Sequence, residues 1–356
     1  MKILLIALSG IGDALMFTPS LEKLKEKFPS SQIDSLVMFK GVQDIFSSLP
    51  EISTIHYWDF LQQNKFASLK FVLTLRKQYD CTINVYPSNR KEYNLISWLI
   101  GAEKRLAVKY LRKDFSNLGF LNNIRIEEND NLHNVEENIR MCEKLIDKKI
   151  DEIPPLKFNL EKEDYKYAKE FLRKNESAKG GDEKDLVIGF HAGCSSLKNH
   201  DKRRWEPKKF TELGKKLIDE FGAKILVFGG SDEEMLKDSI VANINSPNAR
   251  SVNVFSLSST AAVMKRCNLF ITNDSSLMHV AAALKLNIVA IIGPTNKNYI
   301  YPWHTNYKIV SLNLECSPCF YYSPKPLLCS RNDVKFKCIK ELSVDMVLEK
   351  AKEFLT

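Results

Sequence analysis

The segment Asn273-Asp274-Ser275-Ser276-Leu277-Met278-His279 sets a carboxylate, hydroxyls and an imidazole where an apolar run, Leu269-Phe270-Ile271, passes into a helix-forming one, Val280 to Leu284. A strand that delivers the chain to a helix start gathers unpaired amides and the positive end of the helix dipole in one place, which suits a diphosphate. His279 falls about one turn into that helix and could donate to a phosphate or a sugar hydroxyl. Read alone, Asp274 could merely cap the helix and His279 could be structural.

Three other loops share this strand-to-helix setting. Ser9-Gly10-Ile11-Gly12-Asp13 follows the first apolar run. Gly10 and Gly12 give a backbone-lined turn short of the full dinucleotide fingerprint, and Asp13 suits either general-base work or helix capping. Phe190-His191-Ala192-Gly193-Cys194-Ser195-Ser196 offers amides and the Ser195 and Ser196 hydroxyls to phosphate oxygens. Lys202-Arg203-Arg204, just before Trp205 and Pro207, could neutralise a diphosphate or be a solvated surface run. Phe228-Gly229-Gly230-Ser231-Asp232-Glu233-Glu234 ends in acids that could bind a ribose hydroxyl pair or complement a helix dipole.

These motifs need a scaffold, and the periodicity supplies one. In the first half, residues 3–8, 33–39, 54–57 and 81–86 read as strands, and 19–28, 42–49, 67–79 and 93–100 as helices. After a polar stretch bearing Pro154-Pro155, the alternation restarts with strands at 186–190, 223–228, 269–271 and 288–292 and helices at 207–221, 232–242, 259–265 and 276–284. Such alternation demands parallel sheets with helices on both faces. An α/β chain of two Rossmann-like domains, residues 1–155 and 156–356, follows, since 356 residues is about twice the usual domain size. Ligands of these sheets bind beyond the carboxyl ends of the strands, so two facing domains imply a cleft.

Taken in order, the motifs resemble glycosyltransferase family 9, the heptosyltransferase-type family. The likeness rests on Gly12-Asp13, Thr18-Pro19-Ser20-Leu21, His191-Ala192-Gly193, the basic run before Trp205, Gly229-Gly230, Asp274-Ser275 with His279, and Gly293-Pro294-Thr295. It covers nearly the whole chain. The resemblance implies a GT-B fold, with an acceptor-binding first domain and a second domain that binds a nucleotide-sugar donor. It implies an inverting, metal-independent transfer, typically from ADP-heptose, to a lipopolysaccharide-core or related glycan acceptor, with no cofactor. Asp13 matches the base, and Asp274, Ser275, Ser276 and His279 match the donor-binding helix start. Lys202 or Arg203 matches the phosphate-binding cation; the family's Lys generally stands two residues before Trp, the position of Arg203. Glu233 matches the ribose acid, with Glu234 as the alternative. Ser276 and Leu277 replace the usual Gly and a frequent Pro, so a side chain stands at the closest backbone approach to the donor. Sugar-nucleotide 2-epimerases share the two-domain layout, and non-catalytic binding of a nucleotide sugar or glycan is a third reading. The Gly12-Asp13 and Thr18-Pro19 opening and the cysteine-bearing tail favour the transferase.

The bulk numbers are compatible with this. A formal charge of +8 favours anionic partners, though Lys-rich surfaces often have no partner at all, and a nucleic acid is not expected. Residues 104–113 carry five basic side chains and no acid. They read either as a face toward a phosphorylated glycolipid or anionic membrane, or as a strand edge guarded by charge. No apolar run reaches the ~20 residues of a membrane span, and residues 1–8 are followed by Ser-Gly-Ile-Gly-Asp rather than a cleavage site. With eight cysteines and no leader, the expected location is cytoplasmic, with peripheral contact at the inner membrane. Cys316, Cys319, Cys329 and Cys338 form C-x2-C-x9-C-x8-C, which is open between a structural metal and free or paired thiols, with no metal expected. A final amphipathic helix at 343–355 is expected to return to the first domain.

Overall fold

The computed structural model describes residues 1–174, 185–195, 197–254, 256–321 and 326–355. The chain divides into two compact units, the first ending at Asn159 and the second beginning at Leu160.

The first unit is built on a six-stranded parallel sheet of order β3-β2-β1-β4-β5-β6. Its strands are β1 (Lys2–Ala7), β2 (Gln32–Val37), β3 (Thr54–Tyr57), β4 (Cys81–Asn84), β5 (Lys104–Lys109) and β6 (Ile124–Glu127). Around it lie α1 (Ile11–Lys27), α2 (Lys40–Ser47), α3 (Lys65–Thr74), α4 (Lys91–Ile100) and α5 (Asn134–Ile146). In β1, Ile3, Leu4, Leu5 and Ile6 are all fully buried, because a parallel strand covered on both faces needs a continuous apolar run. Each such side chain contributes roughly 1.5–3 kcal/mol of burial.

The second unit repeats the plan with β7 (Val187–His191), β8 (Lys224–Val227), β9 (Ala249–Ser251), β10 (Leu269–Asn273), β11 (Asn287–Ile291) and β12 (Tyr307–Val310), in the order β12-β11-β10-β7-β8-β9. Its helices are α6 (Lys162–Lys174), α7 (Pro207–Phe221), α8 (Glu234–Ile244), α9 (Leu257–Met264), α10 (Ser276–Ala283), α11 (Lys297–Ile300), α12 (Lys337–Lys340) and α13 (Val344–Lys352).

Three expectations need correction. The helix expected to start at Pro19 starts at Ile11 and contains that proline. Pro19 cannot donate to the Leu15 carbonyl, and the Thr18 hydroxyl does so instead over 2.8 Å, which satisfies the orphaned acceptor. Residues 104–113 are not a strand edge, since β5 pairs with β4 and β6 and buries Leu106, Ala107 and Val108. The division falls beyond 155, because Lys157 N–H donates to Thr18 Oγ1, Lys157 Nζ pairs with Glu51, and Asn159 Nδ2 donates to Ser48 O. Within the second unit, Val344, Val347, Leu348 and Ala351 of α13 bury into the core against α7, β11 and β12.

Candidate functional site

In the first unit the strand order reverses between β1 and β4. The segments leaving these strands diverge, which opens the crevice where ligands of doubly wound sheets bind. Ser9, just past β1, spans it: its hydroxyl donates to Pro87 O at 2.6 Å and lies 2.8 Å from Tyr93 Oη on α4. Burial, ahead of the opposing Ser9 bond, pushes the Tyr93 hydroxyl above its ordinary pKa and keeps it neutral. Asp13 lies partly exposed in the first turn of α1, where Oδ2 accepts the Gly10 N–H at 3.1 Å. Gly10 is the N-cap, with an ordinary φ of −75°, and Gly12 lies inside the helix rather than in a turn. The glycine pair therefore marks a helix start, with Asp13 at its mouth.

The second sheet reverses between β7 and β10, and most of the expected donor-binding residues meet there. His191 ends β7; its Nδ1 is 2.7 Å from Ser275 Oγ beyond β10, and its Nε2 is 3.0 Å from Glu233 Oε2. With Glu233 ionised, Nε2 donates to that carboxylate, while Nδ1 and the Ser275 hydroxyl share the second bond. Ser275 is the N-cap of α10, yet its side chain makes no cap bond, so its hydroxyl does not cover the positive end of that helix. Asp274 is not the cap. Its Oδ2 accepts from Arg203 Nη1 and from Thr295 Oγ1, each at 2.6 Å, in a setting where both charges are largely buried. Arg203 also lies over the Phe320 ring, 5.1 Å from its centroid. Asn273 fixes the geometry: its Oδ1 accepts the Trp205 N–H and its Nδ2 donates to Ala192 O, tying the basic run and the β7 loop to β10.

Glu233 sits in the turn after β8 and is almost fully buried. Burial alone would raise its pKa, but His191, the Gly230 N–H and Arg204 together hold it below the ordinary value. The carboxylate fills the space beside Gly193, where an added Cβ would lie 1.8 Å from Oε1. Glu234 faces solvent, so of the two acids only Glu233 joins this cluster. Lys202 also stays at the surface, paired with Asp201 at 3.2 Å, while Arg203 turns inward. Ser195 is exposed on the β7 loop and Ser276 opens α10, whereas Ser196 lies outside the described residues.

His279 is buried on α10, and among the described residues its Nδ1 has no hydrogen-bond partner. Burial, opposed by the charge of Asp274, lowers its pKa to about 4. Lys237 was not legible in the sequence as a site residue. It is buried beneath the Gly229-Gly230 turn and donates to Gly229 O, Val252 O and Asn253 Oδ1. In the tail, Phe336 N–H donates to Cys329 Sγ and Arg331 to Cys316 Sγ. Among the described residues no group of three or more His, Cys, Asp or Glu is arranged to hold a metal ion.

Tandem doubly wound units, with acids, cations and a helix start gathered at a strand-order reversal, are the architecture of the GT-B class. The profile of glycosyltransferase family 9 (heptosyltransferase) matches residues 68–326, and the chain belongs to that family and is a glycosyltransferase. It is similar to lipooligosaccharide heptosyltransferase 2 of Campylobacter jejuni, with 26% identity over all of this chain and 98% of that protein. A Haemophilus influenzae protein of the same name is 26% identical over 88% of this chain and 89% of its own. Among solved structures, the Escherichia coli ADP-heptose lipopolysaccharide heptosyltransferase II superposes with a TM-score of 0.75 at 22% identity, covering 100% of this chain and 98% of that one. A family 9 glycosyl transferase from Veillonella parvula gives 0.76 at 22% identity, over 99% and 97%.

Proposed function

We propose that the chain moves a heptose-type sugar from an ADP-linked donor to a lipooligosaccharide- or lipopolysaccharide-core acceptor, with inversion at the anomeric carbon and without a catalytic metal ion. The first unit takes the acceptor and the second the donor. The observation that carries this reading is the Arg203–Asp274 pair beside an N-cap, Ser275, whose hydroxyl points elsewhere. Together they offer a fixed cation and a helix dipole to a diphosphate, which gathers charge as the sugar leaves. Ser195, Ser196 and Ser276 supply further donors, and His279 contributes a neutral ring. Lys202 adds long-range attraction from the surface. Glu233 has about four acceptor positions and three partners, leaving room for a ribose hydroxyl. Asp13 takes the proton of the attacking acceptor hydroxyl, so that the oxygen displaces the diphosphate from the opposite face. No cofactor enters the reaction. The names of the relatives support this donor and acceptor class, and a glycolipid acceptor is in keeping with an enzyme in the cytoplasm at the inner-membrane surface.

The test pairs binding with turnover. ADP-heptose should raise the melting temperature, since a ligand that binds only the folded protein stabilises it. Transfer to a heptose-bearing core acceptor should proceed in excess chelator. Stabilisation by UDP-sugars but not by ADP-heptose would overturn the donor, and donor interconversion without an acceptor would replace the transferase with an epimerase.

A further inference from the structure

The loop joining β5 to β6, residues 110–123, carries large apolar side chains that stay exposed among the described residues. Phe115 is 82% exposed, Leu111 56% and Phe120 50%, with the two phenylalanine rings 5.5 Å apart. Neighbouring α4 adds Leu95 and Trp98 on its outer face, 41% and 50% exposed, in line with Lys91. Lys113 stands exposed in the same loop, beside Arg112, which pairs with Asp130 at 3.2 Å.

This loop is built rather than slack. Lys113 and Leu118 hold φ values of 68° and 59°, a left-handed conformation that non-glycine residues seldom adopt. The cost is met by a buried amide network. Asn94 Nδ2 donates to Asn117 O, Asn122 Nδ2 donates to Asn94 Oδ1, and Asn117 donates to Asn89. Asp114 pairs with Arg125 at 3.1 Å and packs so closely that a Cβ on Gly119 would lie 2.2 Å from its carboxylate. A fold that fixes a loop this firmly and leaves its phenylalanines in water presents them to something.

The partner is set by charge and by position. Aromatic and aliphatic side chains flanked by Lys91 and Lys113 suit the interface of a bilayer containing anionic lipid, where rings sit at headgroup depth and each cation adds attraction. The same loop adjoins the crevice of the first unit. Asn117 bonds to Asn89, the Ser88 N–H donates to Tyr110 Oη, and Pro87 O accepts from Ser9, which leads to the mouth of α1 and Asp13. A membrane seated on this loop brings the headgroup of an embedded glycolipid to that crevice.

We infer that the 110–123 loop and the outer face of α4 dock the enzyme on an anionic bilayer so that a lipid-anchored acceptor reaches Asp13; this rests on the glycolipid-acceptor reading above. Vesicles of phosphatidylcholine, with and without phosphatidylglycerol, test it directly. The full chain should co-sediment with the anionic vesicles, with a blue shift in emission from Trp98, the one tryptophan among the large exposed hydrophobics. Phe115→Ser with Phe120→Ser should weaken partitioning roughly tenfold or more. Lys91→Glu with Lys113→Glu should weaken binding to the anionic vesicles alone. Transfer to a delipidated soluble acceptor should be unchanged in both variants, while transfer to vesicle-embedded acceptor should fall. Wild-type protein that transfers sugar but ignores vesicles overturns the inference and leaves the function standing. Failure with every acceptor while vesicles are still bound overturns the function instead. Loss of a dimer in the phenylalanine variant, without loss of vesicle binding, would assign the patch to self-association.

Discussion

Arg203 Nη1 donates to Asp274 Oδ2 over 2.6 Å, joining residues 71 positions apart across the strand-order reversal of the second sheet. If Asp274 orients Arg203 for a diphosphate, the two residues act as one unit. Arg203→Ala and Asp274→Ala should each raise the donor KM by about tenfold or more, as expected for losing a charge-assisted bond. The double variant should be little worse than either single one, because coupled residues are not additive. Donor-saturation kinetics on the four proteins of the cycle decides the matter; strict additivity would make the pair a coincidence of packing.

Asp13 caps α1 through the Gly10 N–H, and that role is separable from catalysis. Asp13→Asn keeps an acceptor for the cap but cannot take a proton. Its kcat should fall by about 10² to 10⁴, with stability lowered by no more than about 1 kcal/mol. Rate and melting temperature measured on the same preparation distinguish these effects. A variant that melts early and turns over normally would leave Asp13 as a cap only.

The order of strands and helices around the motifs was legible because both faces of these sheets are covered, and covered strands write continuous apolar runs. Leu269 to Ile271 and residues 288–292 are examples, and they placed α10 correctly. Local pattern failed where a long-range partner decides. Pro19 reads as a helix start until Thr18 is seen to satisfy Leu15. The basic residues of 104–113 read as an edge because they flank, rather than interrupt, three buried residues. The resemblance pointed to Asp274, Glu233 and Arg203, which lie together at the strand-order reversal of the second sheet. Their pairing was not legible, nor was the support from Thr295 and Lys237, since nothing local to those residues signals a partner tens of positions away.

Gly193 and Gly222 separate two reasons for a glycine. Gly222 ends α7 at a φ of +63° with open space around it, so Gly222→Ala meets only backbone strain, about 1 kcal/mol. Gly193 has no such φ, but a Cβ there collides with Glu233 Oε1. Since His191, Gly230 and Arg204 hold that carboxylate, Gly193→Ala should cost roughly 1–3 kcal/mol or more and weaken donor binding as well. Urea unfolding alongside a donor titration should show the second effect only at Gly193.

His279 makes the pH dependence of this site predictable. Its pKa is lowered from 6.5 to about 4 by burial, against the charge of Asp274. Between these values the unfolded chain binds a proton that the folded chain refuses. Stability from this group is therefore complete above about pH 6.5 and is lost progressively as pH falls toward 4, by up to about 3 kcal/mol. Imidazole nitrogen shifts should show a ring that stays neutral down to pH 5, while the urea midpoint declines over the same range. Asp274→Asn removes the charge that favours protonation, so it should lower the His279 pKa further. His279→Gln should flatten the acid limb of the stability curve. A ring that titrates near 6.5 in the folded protein would mean that α10 exposes it to water, and the neutral-ring role at the donor would then fall with it.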